Sequence, residues 1–200
     1  MKVSYLTQLR KMAIMGDMIA MWILGEAYDS GYFTIGRAGR VERVGVNRRL
    51  SLKWLRRSAD RGCVGAMLSL ASVYMQRKRI SKFVLDSALA LEKRAWRLGE
   101  SLAANNIAIT YSFMGQLRLS RNWLERYYNA TKDGLLFSLA LAAGYGGRKD
   151  SRRAVRILDK MIKTKCVEDE ALKRTVMSLR TRIVNGDVPQ IARPISLTKF

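Results

Sequence analysis

The sequence predicts an all-α protein, a right-handed α-solenoid of antiparallel helix pairs with about four repeats plus capping helices. Two observations support this fold class. One spacing of small and large apolar residues occurs four times along the chain, at a period typical of stacked helix pairs. In addition, both prolines, Pro189 and Pro194, fall in the last dozen residues, so nothing upstream prevents long helices.

The first repeat extends from Ala20 to Gly62. Its first helix is predicted from an A-x3-L-G-x2-Y pattern, which places small residues one turn from large ones on a single helical stripe. That stripe consists of Ala20, Leu24, Gly25 and Tyr28. After a loop, Trp54 and Ala59 precede Gly62, and glycine tolerates the left-handed conformation that often ends a helix. We therefore expect a second helix that ends near Gly62.

Three later segments repeat this pattern. The later stripes are Ala66, Leu70, Ala71 and Tyr74, then Ala103, Ile107, Ala108 and Tyr111, then Phe137, Leu141, Ala142 and Tyr145. The closing positions recur as Ala59 with Gly62, Ala95 with Gly99, and Ala130 with Gly134. Units of two helices bury their apolar faces by stacking on their neighbours, so the four copies predict one continuous array.

The residues of the first repeat resemble a known family. The run from Ala20 to Gly31, the pair Gly45-Val46, and the segment from Trp54 to Gly62 are similar to a Sel-one-like repeat, a relative of the tetratricopeptide repeats. The resemblance is close in the first unit, degenerate in the others, and covers roughly residues 5–165. It implies a non-enzymatic protein-binding scaffold and, in bacteria, also adaptors and immunity proteins that act as antidotes to secreted toxins. Because this chain is not cysteine-rich, an intracellular member is the better analogy.

The same patterns give a predicted domain organisation. We expect an N-terminal capping helix in 1–16, four repeats in 17–165 with an insertion at 32–46, a C-terminal capping helix in 166–186 and an extended tail in 187–200. Asp17 and Asn47 are predicted N-caps, because their side-chain oxygens can accept the free N–H groups of a first helical turn. The acidic run 168–170 suits the start of the last helix, and Asn185-Gly186 suits its end.

The insertion at 32–46 interleaves three glycines with three arginines. The glycines are Gly36, Gly39 and Gly45, and the arginines are Arg37, Arg40 and Arg43. A loop longer than about 12 residues is usually either functional or disordered, and both alternatives stay open here. No Lys-Ser/Thr pair follows the glycines, so the spacing does not indicate a phosphate-binding loop. We expect no sheet in the chain other than a hairpin that this segment could form.

The charge is the most informative functional feature of the sequence. The chain has 37 basic and 16 acidic residues and a net charge of +21, whereas a magnitude of ~2–8 is usual for a small domain. No Lys or Arg occurs in 12–36, 62–76, 98–117 or 133–147, which contain the predicted first helices of the repeats. Such a field attracts acidic partners. The same pattern also fits a plain two-layer array, in which the first helices are buried and the second helices solvated.

Two surfaces follow from this distribution. The predicted basic face consists of Lys53, Arg56, Arg57, Arg61, Lys93, Arg94, Arg97, Arg152, Arg153, Arg156 and Lys160. In solenoids of the resembled type the first helices line a concave surface, and residues two positions from the core stripe point away from the core. The predicted concave face is therefore Trp22, Glu26, Asp29, Leu68, Ser72, Met75, Asn105, Ile109 and Ser112. Trp22 is the predicted anchor for a partner, whereas Trp54 is predicted to be core.

Several classes of chemistry find no support in the sequence. There is no histidine, and Cys63 and Cys166 have neither metal-ligand spacing nor a CxxC partner, which favours reduced, buried thiols. We expect no catalytic activity, metal, cofactor or small-molecule substrate. Charges interrupt the first 18 residues, and no apolar run reaches membrane-spanning length, so a soluble cytoplasmic protein without a membrane partner is expected.

Two functional hypotheses remain. The first is a scaffold that grips a protein partner in its groove, with the basic face capturing an acidic protein. The second is a nucleic-acid-binding repeat protein that places its arginines on phosphates. In the sequence the aromatic residues do not interleave with the arginines as in single-strand platforms, and no DNA-reading motif is recognisable. These points favour the protein partner.

Overall fold

The computed structural model describes residues 5–35, 40–76, 80–144, 149–163 and 170–187. Within these ranges it contains ten α-helices and one two-stranded antiparallel sheet. The helices are α1 (Tyr5–Ile14), α2 (Met18–Ser30), α3 (Arg48–Asp60), α4 (Val64–Met75), α5 (Lys82–Arg97), α6 (Leu102–Phe113), α7 (Leu117–Thr131), α8 (Gly134–Ala143), α9 (Ser151–Lys163) and α10 (Glu170–Val184). The predicted all-α class is confirmed. The predictions for Arg37, Tyr145, Cys166, Glu168, Asp169 and residues 188–200 lie outside the described ranges.

The helices fall into two compact units, divided in sequence after Leu98. The first unit contains α1 to α5 and the second α6 to α10. No Pro/Gly/Ser-rich linker marks the division, so composition could not indicate it.

The insertion forms a hairpin, the one sheet for which the sequence analysis allowed. Strand β1 (Tyr32–Ile35) pairs with β2 (Arg40–Arg43), and Tyr32 lies opposite Arg43. The hairpin returns to the end of α2, because the N–H groups of Val44 and Gly45 both donate to the Gly31 carbonyl.

Local capping follows the predictions at several helix ends. Asp17 accepts a hydrogen bond from the Ala20 N–H at 2.9 Å, and Asn47 accepts one from the Leu50 N–H at 3.0 Å. Gly62 has φ of 95°, the left-handed conformation predicted for the end of the second helix. Both starts and the end of the second helix in the first repeat therefore fall at residues that the sequence indicated.

Gly134 is the exception, because it does not end a helix as predicted. The left-handed position after α7 is occupied by Lys132, with φ of 57°, and Gly134 begins α8. A Cβ at Gly134 would lie 2.6 Å from the Met161 Sδ and 2.9 Å from the Ile157 Cγ2. This glycine is required by the close approach of α9, a contact that the repeat pattern does not encode.

The first unit is organised by the contacts of α2. The stripe residues Ala20 and Leu24 belong to one core cluster with Leu9 of α1 and Trp54 of α3. Gly25 allows α3 to come close, since a Cβ there would lie 2.5 Å from the Leu55 Cγ. The small residues of the pattern therefore set the distance between neighbouring helices.

A basic residue and a tyrosine join successive helices twice in the first unit. The Arg10 Nη2 donates to the Tyr28 hydroxyl at 2.7 Å, and the Arg56 Nε donates to the Tyr74 hydroxyl at 3.1 Å. Both pairs are separated by 18 residues. Helix α1 therefore contacts α2 as α3 contacts α4, in the manner of the second helix of a repeat.

The second unit has its own core. It includes Leu124 of α7, Phe137 and Leu141 of α8, Leu158 of α9 and Leu179 of α10. At the turn between α7 and α8, the Tyr127 hydroxyl donates to the Asp133 Oδ2 at 2.6 Å. Burial raises the pKa of Tyr127, and the bonded Asp133 carboxylate raises it further, so the neutral phenol is the form that the fold requires.

Candidate functional site

Four basic side chains of α3 form an exposed cluster, which we call the α3 basic patch. Its members are Lys53, Arg56, Arg57 and Arg61, and all four are exposed. The opposite side of the helix carries Leu55 and Ala59, which are buried. Apolar residues on one side and charged residues on the other are the arrangement expected of a helix that covers a core.

Aromatic rings hold three members of the patch. The Arg57 guanidinium lies 5.6 Å and the Lys53 ammonium 6.0 Å from the centroid of the Trp54 ring. Arg56 lies 5.9 Å from the centroid of the Tyr74 ring, in addition to its hydrogen bond with that hydroxyl. These distances are within the ~6 Å range of cation–π attraction. The rings orient the cations without neutralising them.

No member of the α3 basic patch forms an ion pair with a described residue. Asp60 is exposed on the same helix, yet it lies outside ion-pair distance of all four. Basic side chains in the second unit are bonded differently. Those within 4.0 Å of a described carboxylate include Arg121, Arg153, Lys173, Arg180 and Arg182. No described carboxylate therefore compensates the positive charge of the patch.

The rest of the predicted basic face is less uniform. Arg153 is bidentate to Glu125, with N–O distances of 2.6 and 3.1 Å, and this hydrogen bonding raises the pKa of the Arg153 guanidinium. Arg94 is half-buried and donates to the Asp60 carbonyl at 3.4 Å. The remaining described members are Lys93, which is half-buried, and Arg97, Arg152, Arg156 and Lys160, which are exposed. In the hairpin, Arg43 is exposed, Arg40 is placed by its backbone in β2, and Arg37 lies outside the described ranges.

The predicted concave face is not an open surface in this structure. Leu68, Asn105 and Ile109 have no exposed area. Ser72 and Met75 are 5% and 3% exposed. The reason is that α4 and α6 carry no charged residue, so no side of either helix requires contact with solvent. The prediction of an accessible groove at these five residues is wrong, and the two-layer alternative accounts for their burial.

Four members of that predicted face are partly exposed: Trp22, Glu26, Asp29 and Ser112. Trp22, however, is engaged inside the first unit. Its Nε1 donates to the Ser69 Oγ at 3.0 Å, and a Cβ at Gly65 would lie 2.5 Å from its ring. Trp22 therefore joins α2 to α4 as a packing residue, which contradicts its predicted role as a free anchor. Trp54, predicted as core, is 9% exposed and lies in the core cluster.

Aromatic rings and cations form further pairs that the sequence reading did not identify. Besides Trp54 and Tyr74, the ring of Trp123 lies 4.5 Å from the Arg126 guanidinium. Trp54 and Trp123 both occur in the sequence Trp-Leu-x-Arg, which places the arginine one turn after the tryptophan. This spacing was visible in the sequence and could have identified the pairs.

Reactive groups are scarce in the described part of the chain. Cys63 is a buried, free thiol, as predicted. No group of three or more Cys, Asp or Glu side chains there is arranged to hold a metal ion. None of the helices with described residues has both the length and the apolarity needed to cross a membrane.

No family model matches the sequence, and no curated protein matches it. A Sel1 repeat protein from Oxalobacter formigenes aligns with a TM-score of 0.63 at 18% identity, over 94% of this chain and 71% of that chain. The chain has the fold of the Sel1-like repeat (SLR) proteins. A protective antigen present in uropathogenic Escherichia coli strains, also displaying an SLR fold, aligns with a TM-score of 0.58 at 18% identity.

The second alignment covers 92% of this chain and 41% of that antigen, so this chain spans less than half of the antigen's length. The resemblance drawn from Ala20 to Gly62 is thus supported by an SLR fold that covers nearly the whole chain. At 18% identity, the likeness concerns the SLR fold alone.

Proposed function

We propose that this chain is a non-enzymatic helical-repeat scaffold that binds an acidic protein partner through the α3 basic patch, as an adaptor or as an immunity protein to a bacterial toxin. The observation that carries the proposal is a set of four exposed cations on one helix, without an ion pair to any described residue. An acidic partner would not have to displace an internal carboxylate. Complementary charge of this kind raises the association rate and selects partners.

The aromatic rings beside the patch favour the same function. A long side chain loses rotamer freedom when it is bound, and this loss opposes binding. Because Trp54 and Tyr74 already restrain Lys53, Arg56 and Arg57, part of that cost is met during folding. Guanidinium groups also bind carboxylates in bidentate geometry, which adds specificity to the electrostatic attraction.

Nucleic acid is the second candidate, and the pairing of cations with tryptophan rings is the observation that favours it. Single-strand platforms stack bases on open aromatic faces. Trp54 is only 9% exposed and its ring is already contacted by Lys53 and Arg57, so the patch presents cations rather than a ring. Contacts with phosphates would remain, and these are independent of sequence.

The test uses two variants that remove the same charge. In the patch variant Lys53, Arg56, Arg57 and Arg61 are replaced by glutamine. In the control variant the exposed residues Lys82, Arg118, Lys149 and Arg174 are replaced by glutamine. The partner is isolated by affinity capture from extract with and without nuclease treatment and is identified by mass spectrometry. Association is then measured by surface plasmon resonance at physiological salt.

We expect the patch variant to associate with the partner about tenfold more slowly than the control variant, with a smaller change in dissociation. Equal association rates of the two variants would refute the role of the patch. Loss of the captured partner after nuclease treatment, together with binding of a random duplex at physiological salt, would favour the nucleic-acid function instead.

A further inference from the structure

A shallow apolar groove lies between α1 and α2, and we call it the α1–α2 groove. It has a volume of about 110 Å³ and is lined by Tyr5, Gln8, Leu9, Met12, Asp17, Ile19, Ala20 and Ile23. Tyr5, Met12 and Ile19 each expose between 45% and 47% of their surface. Large apolar residues exposed together in this way are typical of interaction sites.

The internal repeat shows what covers the corresponding surface elsewhere in the first unit. A shift of 46 residues carries Arg10 and Tyr28 onto Arg56 and Tyr74, the two pairs that form the same contact. The same shift carries the residues that line the groove onto Ser51, Trp54, Leu55, Ser58, Cys63, Gly65, Ala66 and Ser69 of α3 and α4. The groove is therefore the α1–α2 version of a surface that α3 and α4 also possess.

On α3 and α4 that surface is the one on which helix α2 packs. Gly25 of α2 lies against Leu55, and the Met18 carbonyl accepts a hydrogen bond from the Ser58 Oγ at 2.6 Å. Trp22 of α2 lies against Gly65 and bonds Ser69. The four residues that contact α2 are Leu55, Ser58, Gly65 and Ser69. Their counterparts in the α1–α2 groove are Leu9, Met12, Ile19 and Ile23.

We propose that the α1–α2 groove binds one α-helix of an acidic partner protein, which lies on α1 and α2 as α2 lies on α3 and α4. The side chains of the groove define the chemistry of that helix. Ile19 and Ile23 replace the smaller Gly65 and Ser69, so the bound helix must carry small apolar residues where α2 carries Trp22. Met12 replaces the hydroxyl donor Ser58, which makes the contact with the start of the helix apolar.

The charge around the groove selects acidic flanks on the bound helix. Arg10 and Lys11 of α1 are exposed and lie in the sequence between the groove residues Leu9 and Met12, and the whole chain carries +21. Asp17 lines the groove, but its carboxylate already accepts the Ala20 N–H as the N-cap of α2. A second copy of this strongly basic chain would be repelled, whereas a helix with glutamates beside its apolar stripe would be attracted.

The groove lies on α1 and α2, apart from the α3 basic patch, so the two sites can be tested separately. The probe is a lactam-bridged, fluorescein-labelled helical peptide of about four turns, long enough to span the groove. It carries alanine, glycine and leucine on one stripe and glutamate elsewhere. The control peptide has the same composition in an order that destroys the stripe. Binding is followed by fluorescence anisotropy, and sedimentation velocity reports the oligomeric state.

Two chain variants are matched in chemistry, because each replaces an exposed isoleucine, Ile14 at the end of α1 or Ile19 at the start of α2, by glutamine. Ile19→Gln alters the groove, whereas Ile14→Gln alters an isoleucine that is 74% exposed and does not line it. We expect the striped peptide to bind the unmodified chain and Ile14→Gln equally, and Ile19→Gln about tenfold more weakly, a loss of ~1.4 kcal/mol. The patch variant described above should keep more of this affinity than Ile19→Gln does.

Several results would overturn the proposal. They are absence of binding, equal binding of the scrambled peptide, or equal affinity of Ile19→Gln and Ile14→Gln in chains of unchanged circular dichroism. A dimer that Ile19→Gln dissociates would identify a second copy as the occupant and would also overturn it. Failure of the patch variant to affect the acidic partner would leave the groove result unchanged, so the two proposals fail independently.

Discussion

At the scale of single residues, helical spacing identified the core stripe but not the neighbours of the remaining side chains. Leu24 and Ala108 are fully buried, as their places in the pattern require. Trp22 was predicted to lie off the stripe, because residues two positions from a core residue point to another face of a helix. Its contacts with Gly65 and Ser69 join residues more than 40 positions apart, and no local periodicity carries that information.

The contact between Trp22 and Gly65 can be tested by a double-mutant cycle. Gly65→Ala should destabilise the chain by ~1–3 kcal/mol, because the added methyl meets a rigid ring at 2.5 Å and outweighs the ~1 kcal/mol that alanine gains in a helix. In a Trp22→Leu background the cost of Gly65→Ala should largely disappear. Urea unfolding followed by circular dichroism measures both values. Additive effects would contradict the packing role of Trp22.

At the scale of elements, the sequence predicts the helices well because each carries its own signals. Asp17, Asn47 and Gly62 act at the ends for which they were predicted. The faces of the helices were predicted less well. Helices α4 and α6 carry no charged residue on any side, so a face that the resemblance assigned to a partner is buried by the protein itself.

Overpacking tests the position assigned to Ala108 in α6. This residue is fully buried in the core of the second unit, so Ala108→Trp should cost ~1–3 kcal/mol of stability and lower the melting temperature. Ala90→Trp in α5 is the matched control, because Ala90 is exposed and its replacement leaves a core intact. Equal melting temperatures of the two variants would contradict the core position of Ala108.

At the scale of the whole molecule, the net charge and the local patch are different sources of attraction. The net charge of +21 is a property of the composition and needs no structure. Which cations remain without an internal carboxylate depends on contacts such as that of Arg153 with Glu125, which lie 28 residues apart. Only the folded chain therefore separates the α3 basic patch from the rest of the predicted basic face.

Ionic strength distinguishes the two sources. The patch variant and the control variant have lost the same number of charges, so their long-range fields are similar where the Debye length is ~30 Å, at 0.01 M salt. We expect both to associate with the captured acidic partner more slowly than the unmodified chain under that condition. At ~0.15 M salt the Debye length falls to ~8 Å and only charges close to the partner act, so the control variant should recover the rate of the unmodified chain while the patch variant stays slow. Stopped-flow association across this salt range measures the difference. If the two variants instead followed one common curve at every salt concentration, the attraction would reside in the net charge of the chain and not in Lys53, Arg56, Arg57 and Arg61.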